Sequence, residues 1–94
     1  MARLIVNAGT PQAREFVLKE GVNCIGRGET NDFTINDPSV SGSHCLVIVL
    51  NGTVRLQDNG STNGTFVNGA RVSEVELKGS QHIQLGGVPL MFEA

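Results

Sequence analysis

Four Asn-Gly pairs, beginning at Asn51, Asn59, Asn63 and Asn68, cut the second half of this chain into short pieces. Asn-Gly tolerates positive φ at both central positions, as a two-residue type I′ hairpin turn demands. The first pair is flanked by the apolar run Leu46-Val47-Ile48-Val49-Leu50 and the alternating run Thr53-Val54-Arg55-Leu56-Gln57. An uninterrupted apolar run of that length predicts a buried central strand. Asn68-Gly69 joins Thr65-Phe66-Val67 to Ala70-Arg71-Val72 in the same manner. Further on, His82-Ile83-Gln84-Leu85 alternates, Gly86-Gly87 turns, and Val88-Pro89-Leu90-Met91-Phe92 returns. Strand, turn and strand recur at roughly ten-residue spacing, which predicts an all-β sandwich. With 12 glycines in 94 residues and only four aromatics, the composition suits short strands and tight turns.

One segment gives two readings. Thr10-Pro11-Gln12-Ala13 has the form of a helix N-cap with proline at the first helical position, and Gly21 could close the helix. That helix would have barely two to three turns, too few to be stable without tertiary support. The alternative pairs Leu4-Ile5-Val6 with a strand through Phe16-Val17-Leu18. Because the rest of the chain reads as β, the strand is the expectation adopted.

A chain of 94 residues fits one domain, residues 1–94, with a core over about 4–92. Seven basic and nine acidic side chains leave a net charge of −2, which argues against nonspecific binding of nucleic acid. No apolar run approaches the ~20 residues of a membrane span. The opening Met1-Ala2-Arg3-Leu4-Ile5-Val6-Asn7 is too short for a signal-peptide core. The expectation is a soluble, cytoplasmic module with no direct membrane insertion. Cys24 and Cys45 both lie in apolar runs and read as small buried hydrophobes, not as a disulfide framework. Cys24, His44, Cys45 and His82 contain no CxxC or HxxxH pair, so neither a metal nor a cofactor is expected.

Three loops carry the chemistry. Gly26-Arg27-Gly28-Glu29-Thr30 follows one apolar run, and Ser39-Val40-Ser41-Gly42-Ser43-His44 follows Asp37-Pro38. The third, Asn59-Gly60-Ser61-Thr62-Asn63-Gly64-Thr65, follows Asp58. Together they offer one arginine between glycines, a series of hydroxyls and an asparagine. A planar cationic fork with neutral donors around it is suited to holding a phosphate. Any one of these loops alone would read as an ordinary solvated turn.

Taken together, Gly26-Arg27, Ser41-x-x-His44 and Asn63-Gly64-Thr65-x-x-Asn68-Gly69 resemble the forkhead-associated (FHA) domain. The resemblance extends over about residues 4–92. It implies an eleven-stranded β-sandwich of the SMAD/FHA type, with loops at one end that bind phosphothreonine peptides. It further implies that Arg27 pairs with the phosphate, that Ser41 donates its hydroxyl to it, and that Asn63 holds the peptide backbone. Thr62 stands where members often place another contact. By the same resemblance His44 braces the loops from beneath, while Gly26, Gly64 and Asn68 are structural. Two departures stand out. The residue after the serine is often Arg or Asn in the family, but here it is Gly42, which leaves only a backbone N–H. Some members read the third residue beyond the phosphothreonine with a basic side chain just before the serine, where this chain has the uncharged Ser39 and Val40. The implied partner is a phosphothreonine-containing protein, bound in trans or on the same chain.

Rival readings are weaker. An enzyme would need Ser41 or Ser43 beside His44 with Asp37 or Asp58 as orienter, and no Gly-Lys-Ser/Thr phosphate loop exists in the chain. The serious alternative is a sandwich of the same family used as a phosphate-independent scaffold in a larger assembly, such as a secretion apparatus.

Overall fold

The structure, a computed structural model, describes residues 2–94. Its strands are β1 (Arg3–Val6), β2 (Arg14–Val17), β3 (Gly21–Gly26), β4 (Phe33–Thr34), β5 (Cys45–Leu50) and β6 (Thr53–Asp58), then β7 (Thr65–Val67), β8 (Ala70–Arg71), β9 (Glu74–Leu77), β10 (Ser80–Leu85) and β11 (Val88–Glu93). They form a six-stranded sheet in the order β2-β1-β11-β10-β7-β8 and a five-stranded sheet in the order β4-β3-β5-β6-β9. The short β3–β4 pair is parallel. Eleven strands in two sheets agree with the all-β expectation. Among the described residues no helix is long and apolar enough to cross a membrane.

Alternation along the strands builds the core. Leu4 and Val6 from β1, Ile83 and Leu85 from β10, and Leu90 and Phe92 from β11 face Ile25, Cys45, Val47 and Leu56 of the other sheet, all buried. The ambiguous segment after Thr10 forms β2, not a helix. Phe16 pairs with Leu4 across the strands and is buried, and its ring stacks on Phe33 with centroids 4.6 Å apart. Burial of that ring in the sheet outweighs the helix-cap signal at Thr10-Pro11. Asn51-Gly52 and Asn68-Gly69 make the hairpin turns β5–β6 and β7–β8, with φ of 51° and 80° and of 50° and 87°.

The apolar run 46–50 departs from expectation. Strand β5 is central, paired with β3 and β6, but only one of its faces is inside. Cys45 and Val47 are fully buried, whereas Leu46 and Ile48 are half-buried and Leu50 is 58% exposed. A two-layer sandwich has one interior, so alternate residues of even a wholly apolar strand must face outward. Cys24 is half-buried for the same reason, while Cys45 is fully buried and both thiols are free.

Candidate ligand-binding site

The three loops singled out by sequence meet at one end of the sandwich. The Arg27 N–H donates to Ser41 O at 2.9 Å and the Gly28 N–H to Gly42 O at 3.1 Å, so the β3–β4 loop is laid along the β4–β5 loop. Gly26 permits this approach: a Cβ there would lie far inside contact distance of the Gly42 carbonyl oxygen. The Asn31 side chain clamps the same junction, donating from Nδ2 to Gly28 O and Gly42 O, each at 2.7 Å. Val40 is buried in the core and pins the β4–β5 loop from below.

A second set of bonds joins the β4–β5 and β6–β7 loops. The Thr62 N–H donates to Ser41 Oγ at 3.0 Å, which leaves the Ser41 hydroxyl proton free to donate elsewhere. Asn63 Nδ2 donates to Ser39 O at 2.9 Å, and its Oδ1 keeps its acceptor capacity. Beneath them His44 is wholly buried. Its Nδ1 accepts the Ser41 N–H at 3.0 Å, so the ring proton sits on Nε2 and is donated to Gly64 O at 2.9 Å. Both ring nitrogens are thus occupied by backbone, and neither is available to the hydroxyl of Ser41 or Ser43.

The β6–β7 loop is wound around Asp58. The Ser61 and Thr65 hydroxyls both donate to Asp58 Oδ1, and the Gly64 N–H donates to Ser61 Oγ at 3.1 Å. Partial burial of Asp58 pushes its carboxyl up, but the hydrogen bonds from Ser61 and Thr65 outweigh that and hold it below the usual carboxylate range. Asp37 is also held low, by the Ser39 hydroxyl and then the Ser39 N–H.

Arg27, Ser41, Gly42, Thr62 and Asn63 line one open cavity of about 280 Å³, together with Pro38, Ser39 and Val40. That is at the low end of the ~300–1,000 Å³ of small-molecule pockets. The Arg27 side chain is exposed and makes no ion pair among the described residues. Its one side-chain hydrogen bond among the described residues is a long one, from Nη1 to Pro38 O at 3.4 Å. The cavity therefore holds an arginine without a counter-charge, a free hydroxyl proton and a side-chain amide.

A sequence profile of the FHA domain matches residues 23–86, more than half of the chain. The chain belongs to the FHA domain family. The FHA domain-containing protein FhaA of Mycobacterium tuberculosis is 46% identical over 74 residues, which are 78% of this chain and 14% of that protein. The FhaA FHA domain, complexed with the intracellular domain of Rv3910, has the same fold with a TM-score of 0.92 and 34% identity, over 99% of this chain and 100% of that one. EmbR of Mycobacterium tuberculosis, in complex with a low affinity phosphopeptide, matches with a TM-score of 0.89 and 27% identity, over 98% of this chain and 24% of that one. The chain spans between 9% and 66% of the length of the curated relatives it matches.

Within this FHA domain the residues named from sequence take two positions. Arg27, Ser41, Gly42, Thr62 and Asn63 line the cavity, while Gly26, His44 and Gly64 lie in the backbone framework behind it. Asn68 lines no part of it. Asn68 turns β7 into β8, and its Oδ1 accepts the His82 N–H at 3.1 Å. Sequence reasoning missed Asn31 and gave Ser39 no role beyond one hydroxyl of its loop and an absent charge. Ser39 Oγ in fact donates to Asp37 Oδ1 at 2.6 Å and accepts the Gly87 N–H at 2.8 Å, which ties the β10–β11 turn to the site. The Asp37-Pro38-Ser39 spacing was the available signal, since Asp commonly bonds the backbone two residues on. Asn31 had none, because the bond that makes it a clamp between loops goes to Gly42 O, 11 residues away.

Proposed function

We propose that this chain is one phosphopeptide-recognition module over residues 1–94. It binds a phosphothreonine segment of a partner protein, or of its own chain, without catalysing a reaction and without metal or cofactor. The observation that carries this reading is the convergence of Arg27, Ser41, Gly42, Thr62 and Asn63 on one open cavity. A phosphothreonine brings about −1.5 to −2 charges and three strong acceptor oxygens. Arg27 meets two of them as a planar fork, the Ser41 hydroxyl donates to the phosphate, and the Gly42 N–H adds a neutral donor. Asn63 holds the adjacent peptide backbone through Oδ1, with Thr62 beside it. His44, Gly26 and Gly64 set the distances between the loops. The EmbR complex with a phosphopeptide supports the ligand class. Occupation of both His44 nitrogens by backbone supports recognition over hydrolysis. The free thiols of Cys24 and Cys45, the latter pushed up to about 12 mainly by burial, suit a reducing, cytoplasmic setting.

The test is a titration of wild type, Arg27→Ala and Arg27→Lys against a phosphothreonine peptide, its phosphoserine counterpart and the unphosphorylated form. Charge-assisted bonds are worth roughly 1.5–3 kcal/mol each, so Arg27→Ala should weaken a micromolar complex by ~10- to 100-fold or more. Lysine, a point charge, should not restore it. Equal wild-type affinity for the phosphorylated and plain peptides overturns the proposal and leaves a phosphate-independent scaffold.

A further inference from the structure

The seven basic side chains are not equally engaged. Arg3 pairs with Glu15 and Glu93, Lys19 with Asp32, and Arg55 with Glu74. Arg14 donates to Thr34 O and lies over the Phe16 ring. Arg71 is exposed, and among the described residues its guanidinium has no hydrogen-bond or ion-pair partner. It is nonetheless held in place. Arg71 on β8 stands directly opposite Phe66 on β7, and its side chain runs back along the strand to Gly64. A Cβ on Gly64 would lie 2.9 Å from Arg71 Nε, 3.1 Å from Cζ and 3.2 Å from Phe66 Cε1. The positive φ of 93° at Gly64, natural only to glycine, keeps that space open for the guanidinium.

This puts an uncompensated cation against the residue that directly follows Asn63 in the chain. We propose that Arg71 is a specificity-determining residue that reads an acidic side chain of the bound phosphopeptide, at one position flanking the phosphothreonine. The inference rests on the phosphopeptide reading above. A peptide held by Asn63 passes beside Gly64, and a carboxylate reaching over that glycine meets the guanidinium with its donors unspent. The carboxylate also neutralises an arginine that would otherwise face solvent alone. Gly64 thus serves two sides of one loop: its carbonyl accepts from His44 within, and its bare Cα seats Arg71 without.

The experiment is a phosphothreonine peptide array in which each flanking position is changed in turn to Asp, Glu or Ala. Wild type, Arg71→Ala and Arg71→Gln are compared, and Gln keeps much of the stem packing if Ala disturbs the β7–β8 hairpin. Each protein's affinity for the alanine-flanked phosphopeptide is its own reference. At one position wild type should prefer the acidic residue by about 3- to 10-fold, the range of one exposed charge-assisted contact. Both variants should lose that preference, and it should shrink in 0.5 M salt. No acidic preference at any position in wild type, or one that survives in Arg71→Gln, overturns the proposal. A wild type indifferent to the phosphate itself would instead refute the phosphopeptide reading.

Discussion

Gly42 is the residue at which the site departs from the form its family resemblance implies, and the structure shows what that departure leaves. Gly26 is confined, because a Cβ would strike the Gly42 carbonyl, yet nothing lies within 4 Å of a Cβ on Gly42 itself. Its φ is not in the left-handed region. Neither space nor backbone therefore requires glycine at position 42. An asparagine placed there would add an amide donor at the mouth of the cavity, beside the Ser41 hydroxyl. Gly42→Asn should strengthen phosphothreonine-peptide binding by about 3- to 10-fold, the worth of one hydrogen bond to a charged group after the cost of fixing the side chain. Its thermal stability should stay within a degree or two of wild type, as for surface substitutions generally. Calorimetric titration of both proteins with one peptide checks this, and unchanged affinity would mean that the phosphate does not reach position 42. The family resemblance sets Gly26 in the framework and marks Gly42 as a departure, and the path of the neighbouring loop is the physical reason for both.

Among the elements, the four Asn-Gly pairs show how far local chemistry was legible. Two of them make the β5–β6 and β7–β8 hairpins, with both residues at positive φ. In the other two only Gly60 and Gly64 have positive φ, and both belong to the longer loop between β6 and β7. The difference is nonlocal. Asp58 gathers Ser61 and Thr65 around one carboxylate oxygen, and those bonds shape the loop where the dipeptide alone would have made a tight turn. Strands were readable because alternation is a local pattern, whereas the side-chain bonds that bring loop to loop span 11, 20 and 21 residues. His44 is the exception, since the resemblance carried by Ser41-x-x-His44 implies a brace beneath the loops. Its ring is the strut between two elements, holding the Ser41 N–H on one side and the Gly64 carbonyl on the other. His44→Ala strands both backbone groups, and stability should fall by about 1–3 kcal/mol. Binding should weaken with it as the β4–β5 and β6–β7 loops lose their spacing. Chemical denaturation and peptide titration of the same preparation separate the roles, because lost binding at undiminished stability would make His44 a ligand contact.

For the molecule as a whole, the carboxylates couple the site to the stability of the sandwich. Three are held below their ordinary range in the folded state. Asp32 accepts first from the Cys24 N–H and then from Lys19, and Asp37 accepts from the Ser39 hydroxyl and N–H. Asp58 is raised by burial but lowered further by Ser61 and Thr65. A group whose folded pKa is depressed stabilises the fold above its unfolded pKa and loses that contribution as pH falls through its folded value. In that window the unfolded chain binds more protons than the native one, so stability must rise with pH there. The melting temperature should fall steeply below about pH 4, where unfolded aspartates take up protons. Two of the three groups, Asp37 and Asp58, brace the binding loops, whereas Asp32 ties Lys19 to β3. Asp58→Asn isolates the loop contribution. It should melt lower than wild type at pH 7, because a neutral amide is a poorer acceptor for two hydroxyls. It should also show a shallower decline between pH 5 and 3, because the group that titrates there is gone. Melting curves of the two proteins across that range decide the matter, and parallel declines would place the acid sensitivity in Asp32 and Asp37 instead. Peptide binding is a poor substitute for this measurement, since the second pKa of a phosphothreonine lies near 6 and the ligand would lose charge before the loops did.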